Sequence, residues 1–191
     1  MSTLKVSTIS PLGTDATKTI TVGASGDTFT VTDGVTVSGA SANTPAFNVR
    51  MNTLQNISNE TDTLVAFDTE IYDTDSAFDN TASNYKFTVP SGKAGKYYFF
   101  ASTNLDAVSA ANLQNCQMYF YKNGSVQHKI STNFNSNDIK AYQATLSTTF
   151  DLSAGDFIQV YARISDSSGS PRIDGSDTAQ SQFFGYRLIG A

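Results

Sequence analysis

Apolar and polar residues alternate along most of this chain, and the alternation has the period of a strand. After a compositional break at Ser41-Ala42-Asn43-Thr44-Pro45, apolar runs recur at Ala46–Arg50, Leu64–Phe67, Tyr85–Pro90, Gly95–Asp106, Cys116–Tyr121, Val126–Phe134, Tyr142–Leu152, Phe157–Ile164 and Gln182–Ile189. Turn sequences separate them, notably Ser91-Gly92-Lys93-Ala94, Lys122-Asn123-Gly124-Ser125 and Ser153-Ala154-Gly155-Asp156. Asn123-Gly124 accepts the positive φ angles of a tight hairpin. No segment carries a helical period, and many short strands with regular turns predict an all-β antiparallel sandwich. The densest run is Gly95-Lys96-Tyr97-Tyr98-Phe99-Phe100-Ala101. Tyr97, Phe99 and Ala101 fall on one face of it, Tyr98 and Phe100 on the other. A strand apolar on both faces is covered on both sides, so this one is expected to pack one face on the second sheet and the other on another subunit.

Successive antiparallel strands reverse direction, so their connections alternate between the two ends of the sandwich. The glycine-tight turns at 91–94, 123–125 and 153–156 then share one end, and the C-terminus lies with them. The long polar connections at 105–114, 134–141 and 165–181 share the other. Recognition residues concentrate on scaffolded loops. Asn104, Asp106, Asn135, Asn137, Asp138, Arg172, Asp174 and Asp177 are therefore the candidate receptor contacts.

Residues 1–44 read differently and form a separate segment from the 45–191 head. They hold one aromatic, Phe29, and short units closed by glycine: Ile20-Thr21-Val22-Gly23, Phe29-Thr30-Val31-Thr32-Asp33-Gly34 and Val35-Thr36-Val37-Ser38-Gly39. One copy has too few apolar side chains to bury a core. Three copies wound about an axis could stack Ile20, Val22, Phe29, Val31, Val35 and Val37 inward, and Leu4, Val6 and Ile9 extend this candidate anchor. The competing reading is a flexible linker with β-prone patches.

Composition narrows the function classes. The 191-residue chain is rich in Phe (13) and Tyr (9), yet only 15% of its residues are charged and its net charge is −5. With no basic cluster, phosphate-driven nucleic-acid binding is excluded as an expectation. One cysteine, Cys116, provides no intrachain disulfide. Met1–Val6 lacks the apolar core of a signal peptide, which predicts folding in a cytosol, and no run approaches the ~20 apolar residues of a membrane helix. The three glycosylation-type triplets at Asn56, Asn59 and Asn123 are read as chance.

The order of the runs resembles the globular head of the complement C1q and tumour-necrosis-factor superfamily. Pro45-Ala46-Phe47-Asn48-Val49, Phe67-Asp68, Tyr85-Lys86-Phe87-Thr88-Val89-Pro90, Gly95-Lys96-Tyr97-Tyr98-Phe99, Lys122-Asn123-Gly124, Leu152–Val160 and Phe183–Ile189 carry the likeness, over about residues 45–191. The resemblance implies a ten-stranded jelly roll that assembles as a tight homotrimer and displays recognition sites, without catalysis. It also implies that the N-terminal segment enters at the short-turn end. Collagen-like repeats are absent. Ser2-Thr3-Leu4-Lys5-Val6-Ser7-Thr8-Ile9 and the Thr/Gly strands resemble instead the amino-terminal segments of tailed-bacteriophage structural proteins.

Few residues invite chemistry. His128 is the only histidine and sits in a strand pattern; Cys116 alternates with Met118 and Phe120 as a buried apolar residue would. Asp73, Asp75 and Asp79 are candidate calcium ligands, since some heads of the resembled family bind calcium, but they lack the glycine and closing glutamate of an EF-hand. Asp174 and Asp177 form a second such candidate; no other cofactor is expected. Phe47, Tyr97, Phe99, Tyr119, Tyr121, Phe183 and Tyr186 are expected in the core or along a trimer axis. The reading that follows is a non-enzymatic virion protein, a trimeric fibre or appendage attaching to a host-surface glycan or protein and held to other virion proteins by its N-terminal segment. A capsid decoration protein at three-fold positions is the alternative, and a polysaccharide depolymerase a minor one.

Overall fold

Alternation places Phe47 and Val49 inward from Ala46–Arg50, and Tyr97, Phe99 and Ala101 inward from Gly95–Asp106. All are fully buried, as the period-2 pattern requires. The computed structural model describes residues 43–108, 113–134, 139–176 and 181–189. The anchor candidates Leu4, Val6, Ile9, Ile20, Val22, Phe29 and Val31 lie outside them, as do Asn135, Asn137, Asp138 and Asp177.

The described residues form thirteen strands and no helix: β1 (Ala46–Arg50), β2 (Gln55–Asn56), β3 (Thr63–Leu64), β4 (Thr69–Asp73), β5 (Phe78–Asp79), β6 (Lys86–Thr88), β7 (Gly95–Asp106), β8 (Leu113–Lys122), β9 (Ser125–Asn133), β10 (Ala141–Leu152), β11 (Phe157–Asp166), β12 (Arg172–Asp174) and β13 (Gln182–Arg187). They make two antiparallel sheets. The front sheet of seven strands runs β4-β1-β13-β7-β10, with β12 and β2 continuing beside β7 beyond the end of β13. The back sheet of six runs β9-β8-β11, then β6-β5 and β3 along the far side of β11. This is the expected jelly roll. Four short strands, β2, β4, β5 and β12, pair outside the predicted runs, and the run Leu64–Phe67 contributes only the strand Thr63–Leu64.

Aromatic rings fill the space between the sheets. Phe47 stacks on Phe87 at 4.9 Å and on Phe78 at 5.3 Å, and meets Phe183 edge-on at 4.9 Å. Each such buried side chain contributes about 1.5–3 kcal/mol relative to exposure. Cys116 belongs to the same core, where burial pushes its thiol pKa up to about 12 and keeps it protonated. Its partner across the strand pair is Thr132 on β9, and His128 opposes Phe120 there as an ordinary strand residue. Gly185 faces Phe99 in the β13–β7 register. A methyl there would sit 2.5 Å from a ring carbon of Phe99, so glycine is the residue that lets the ring lie across the sheet.

The two ends differ as strand parity requires. At one end the hairpin Asn123-Gly124, with φ of 52 and 78°, is locked to the 153–156 turn. Asp156 accepts hydrogen bonds from Asn123 Nδ2 at 2.8 Å and Ser153 N at 2.9 Å, and pairs with Lys122 Nζ at 2.9 Å. The 89–93 turn joins them through Val89 N to Asp156 O and Gly155 N to Val89 O. The hydrogen bonds from Asn123 and Lys122 hold the Asp156 carboxyl down at about 2, from an ordinary 3.8. A depressed folded pKa stabilises above the unfolded value and loses that contribution as pH falls through the folded one. Asp156→Asn should therefore flatten the acid limb of stability between about pH 4 and pH 2, read from urea midpoints across that range. The chain leaves β13 at this same end, where Arg187 N donates to Pro45 O and Leu188 N to Lys96 O.

Candidate functional site

Two surfaces of the sandwich carry more structure than a solvated face needs. The first is the outer face of the front sheet. Positions that alternate with the core residues bring Tyr98 and Phe100 of β7 beside Tyr186 and Phe184 of β13. Phe100 stacks on Phe184 at 5.0 Å and Tyr98 leans on Tyr186 at 5.5 Å. Across β1, Asn48 pairs with Phe184 and, on β4, with Tyr72, which is 47% exposed. The row Tyr72, Asn48, Phe184, Phe100 thus crosses four strands on the side away from the core. Beside it, Asn48 Oδ1 and Arg50 Nε are buried and have no hydrogen-bond partner among the described residues. A buried polar atom left unpaired costs about 1–3 kcal/mol, so such atoms call for a partner beyond the described residues.

The second surface is the long-loop end. Asp106 is 4% exposed. Its Oδ2 accepts Arg172 Nε at 2.9 Å and Nη2 at 2.6 Å, while Oδ1 accepts the Val108 amide at 2.9 Å. Arg172 also lies 3.9 Å from Asp174, which bonds Ser176. Burial opposes ionisation of Asp174, but the Ser176 hydrogen bonds and the charges of Arg172 and Lys140 outweigh it and hold the pKa below the ordinary value. Arg172 and Asp174, expected in the long connection 165–181, are paired strand residues instead. Asn104 and Asp106 are the last part of β7, and Arg172 and Asp174 form β12, because the ion pair draws a Ser/Gly-rich segment into the sheet. Arg172→Ala leaves the buried Asp106 charge without its partner and should lower stability by about 3–5 kcal/mol, with Asp106→Asn in the same background restoring part of it; urea unfolding of the single and double variants measures both.

The other predicted residues are dispersed. Phe47, Tyr97, Phe99 and Phe183 are in the core, and the Tyr97 hydroxyl donates to Lys93 O. Tyr186 is on the outer front face. Tyr119 and Tyr121 lie instead on the outer face of the back sheet, where Tyr121 stacks on Tyr161 at 4.1 Å and donates to Asp62 at 3.0 Å. Burial, aided by Asp62, pushes both of these tyrosines up to about 12. Asp73, Asp75 and Asp79 do not converge. Asp73 accepts the amides of Asp75 and Phe78, Asp75 pairs with Lys93 at 3.4 Å, and Asp79 is held by Thr81 and Asn84. Among the described residues, no group of three or more His, Cys, Asp or Glu side chains is placed to hold a metal ion. Asn48, Arg50 and Tyr72 escaped the sequence reading; the signal available was the alternation within Ala46-Phe47-Asn48-Val49-Arg50, which puts polar groups beside the outward aromatics.

Two antiparallel sheets, packed through an aromatic core and wound so that β7 and β13 are central in one and β8 and β11 in the other, define a jelly-roll head. The chain belongs to the C1q domain family, whose model matches residues 46–188. Among solved structures it is similar to Eiger TNF from S. frugiperda, with 13% identity, a TM-score of 0.53, and coverage of 76% of this chain and 93% of that one. It is also similar to murine APRIL, solved at pH 5.0, with 11% identity, a TM-score of 0.54, and coverage of 75% and 98%. At these identities the likeness is one of fold. No curated protein matches the chain.

Proposed function

We propose that this protein is a homotrimeric, non-enzymatic display head, assembled through the outer face of its front sheet and serving on a tailed-phage virion as a surface-attachment module. The observation that carries the assembly is the pairing of stacked aromatics with buried, unpartnered polar atoms, Asn48 Oδ1 and Arg50 Nε, on one face. A second and third copy would bury the rings and supply the missing hydrogen bonds. C1q-like domains are typically trimeric and generally non-enzymatic, which supports both parts. The virion setting is supported by the likeness of Ser2–Ile9 and the Thr/Gly-rich units of residues 20–39 to phage structural proteins. Three copies of a weak site on one rigid body gain avidity from effective concentration.

Purified protein should compete with particles bearing it for adsorption to the host cell. Unchanged adsorption, together with particles that lose heat stability when the protein is absent, would replace attachment by shell decoration. Degradation of host polysaccharide by the purified protein would overturn the non-enzymatic reading.

A further inference from the structure

At the long-loop end, Asn56, Ile57, Val108, Gly169, Ser170 and Pro171 line a pocket of about 390 Å³. This is near the lower limit of small-molecule sites, ~300–1,000 Å³. It suits one sugar-sized group better than a folded partner. Its floor is apolar: Ile57 is 9% exposed and Pro171 is buried, and Val108, a large apolar side chain, stands 38% exposed at the mouth. Val108 also holds a φ of 66°. A β-branched side chain resists that left-handed conformation. The Asp106 carboxylate fixes it by accepting the Val108 amide while clamped by Arg172. Strain over-determined by its surroundings gathers at ligand sites.

Among the described residues, the rim is polar but not charged. Asn56, a carboxamide residue, and Ser170, a hydroxyl residue, are exposed members of the lining. The acids nearby are already engaged: Asp106 by Arg172, and Asp166 by the amides of Ser168 and Ser170 and the Ser168 hydroxyl. An apolar floor beneath a donor–acceptor rim fits a neutral group with one methyl and one amide. A carboxamide such as that of Asn56 offers both a donor and an acceptor, the complement of a second amide.

We propose that this pocket binds a terminal N-acetylated hexose of a surface glycan. The acetyl methyl rests on Ile57, Val108 and Pro171, and the acetamido group hydrogen-bonds the Asn56 carboxamide and the Ser170 hydroxyl. The proposal rests on the attachment reading and names the chemistry it grips.

Saturation-transfer NMR on the full chain tests it, with N-acetylglucosamine and N-acetylgalactosamine as probes and glucose and galactose as comparators. Transfer should be strongest at the acetyl methyl protons. Asn56→Ala should weaken binding about tenfold, the loss of one amide pair, and Ser170→Trp, at an exposed position, should fill the pocket and abolish the signal while leaving circular dichroism unchanged. Absence of transfer to both N-acetyl sugars, equal transfer to the plain hexoses, or an undiminished signal in Ser170→Trp would each overturn the proposal. Host adsorption separates it from the attachment reading. Wild type and Ser170→Trp competing equally well would leave attachment standing and sink the pocket. Failure of the wild type to compete, with the NMR signals as expected, would sink attachment and leave the pocket.

Discussion

Phe99→Ala is expected to remove about 3–5 kcal/mol of stability, a large part of the ~5–15 kcal/mol that holds a domain of this size. Phe99 is fully buried and its ring lies within 6.2 Å of those of Phe47, Phe87, Tyr97, Phe120, Phe150 and Phe183. It also covers Gly185 across the strand pair. Truncation therefore opens a cavity bounded by a glycine on one side and by rings fixed by their own neighbours on the others, a site that collapses poorly. The converse change, Gly185→Ala, drives a methyl into that ring. The two should couple: Gly185→Ala should be less damaging in the Phe99→Ala background than alone, with the 2.9 Å approach of its methyl to Tyr98 O left as the residual cost in both. Urea midpoints of the four proteins, at one protein concentration, give the coupling directly, and strict additivity would contradict the packing described here.

The second large effect concerns assembly. Phe100→Asp places a charge where Phe100 stacks on Phe184, on the face argued to meet other subunits. Phe100 is only partly buried within one chain, so the fold should survive. In the assembly, however, three uncompensated carboxylates would be buried near one another. A buried unpaired charge costs about 3–5 kcal/mol, more than a 100-fold loss of association per contact. The variant should be a folded monomer at micromolar concentration. Val126→Asp, at a 46% exposed position on β9 in the back sheet, is the control and should leave the assembly intact.

Much of this architecture was legible in the sequence, for reasons that can be named. The bounds of β7 followed from the two-faced aromatic run that opens at Gly95 and continues as a strand-like run to Asp106, and the hairpin from Asn123-Gly124, whose positive φ angles the structure shows. The grouping of short turns at one end followed from strand parity alone. What was not legible depended on partners distant in sequence. β4 is an edge strand whose central residues, Glu70, Ile71 and Tyr72, are all exposed, so no burial pattern marks it. β12 exists because Arg172 finds Asp106, 66 positions away, and polar residues in a Ser/Gly-rich stretch otherwise signal a loop. That ion pair makes Asp106 and Arg172 a clamp between β7 and β12 at the long-loop end. Tyr119 and Tyr121, expected in the core or along a trimer axis, alternate with the core residues Cys116, Met118 and Phe120 and so face the outside of the back sheet. Where both faces of a strand are apolar, as in Phe183-Phe184, alternation separates the two sets without saying which one is the core.

The front-sheet face is the proposed subunit interface. Sedimentation equilibrium of the full chain measures this most directly. A mass three times that of the 20.4 kDa chain, falling to one chain in Phe100→Asp but not in Val126→Asp, is the predicted result. A wild-type protein that sediments as a single chain across micromolar concentrations, or a Phe100→Asp variant that keeps the wild-type mass, would contradict it.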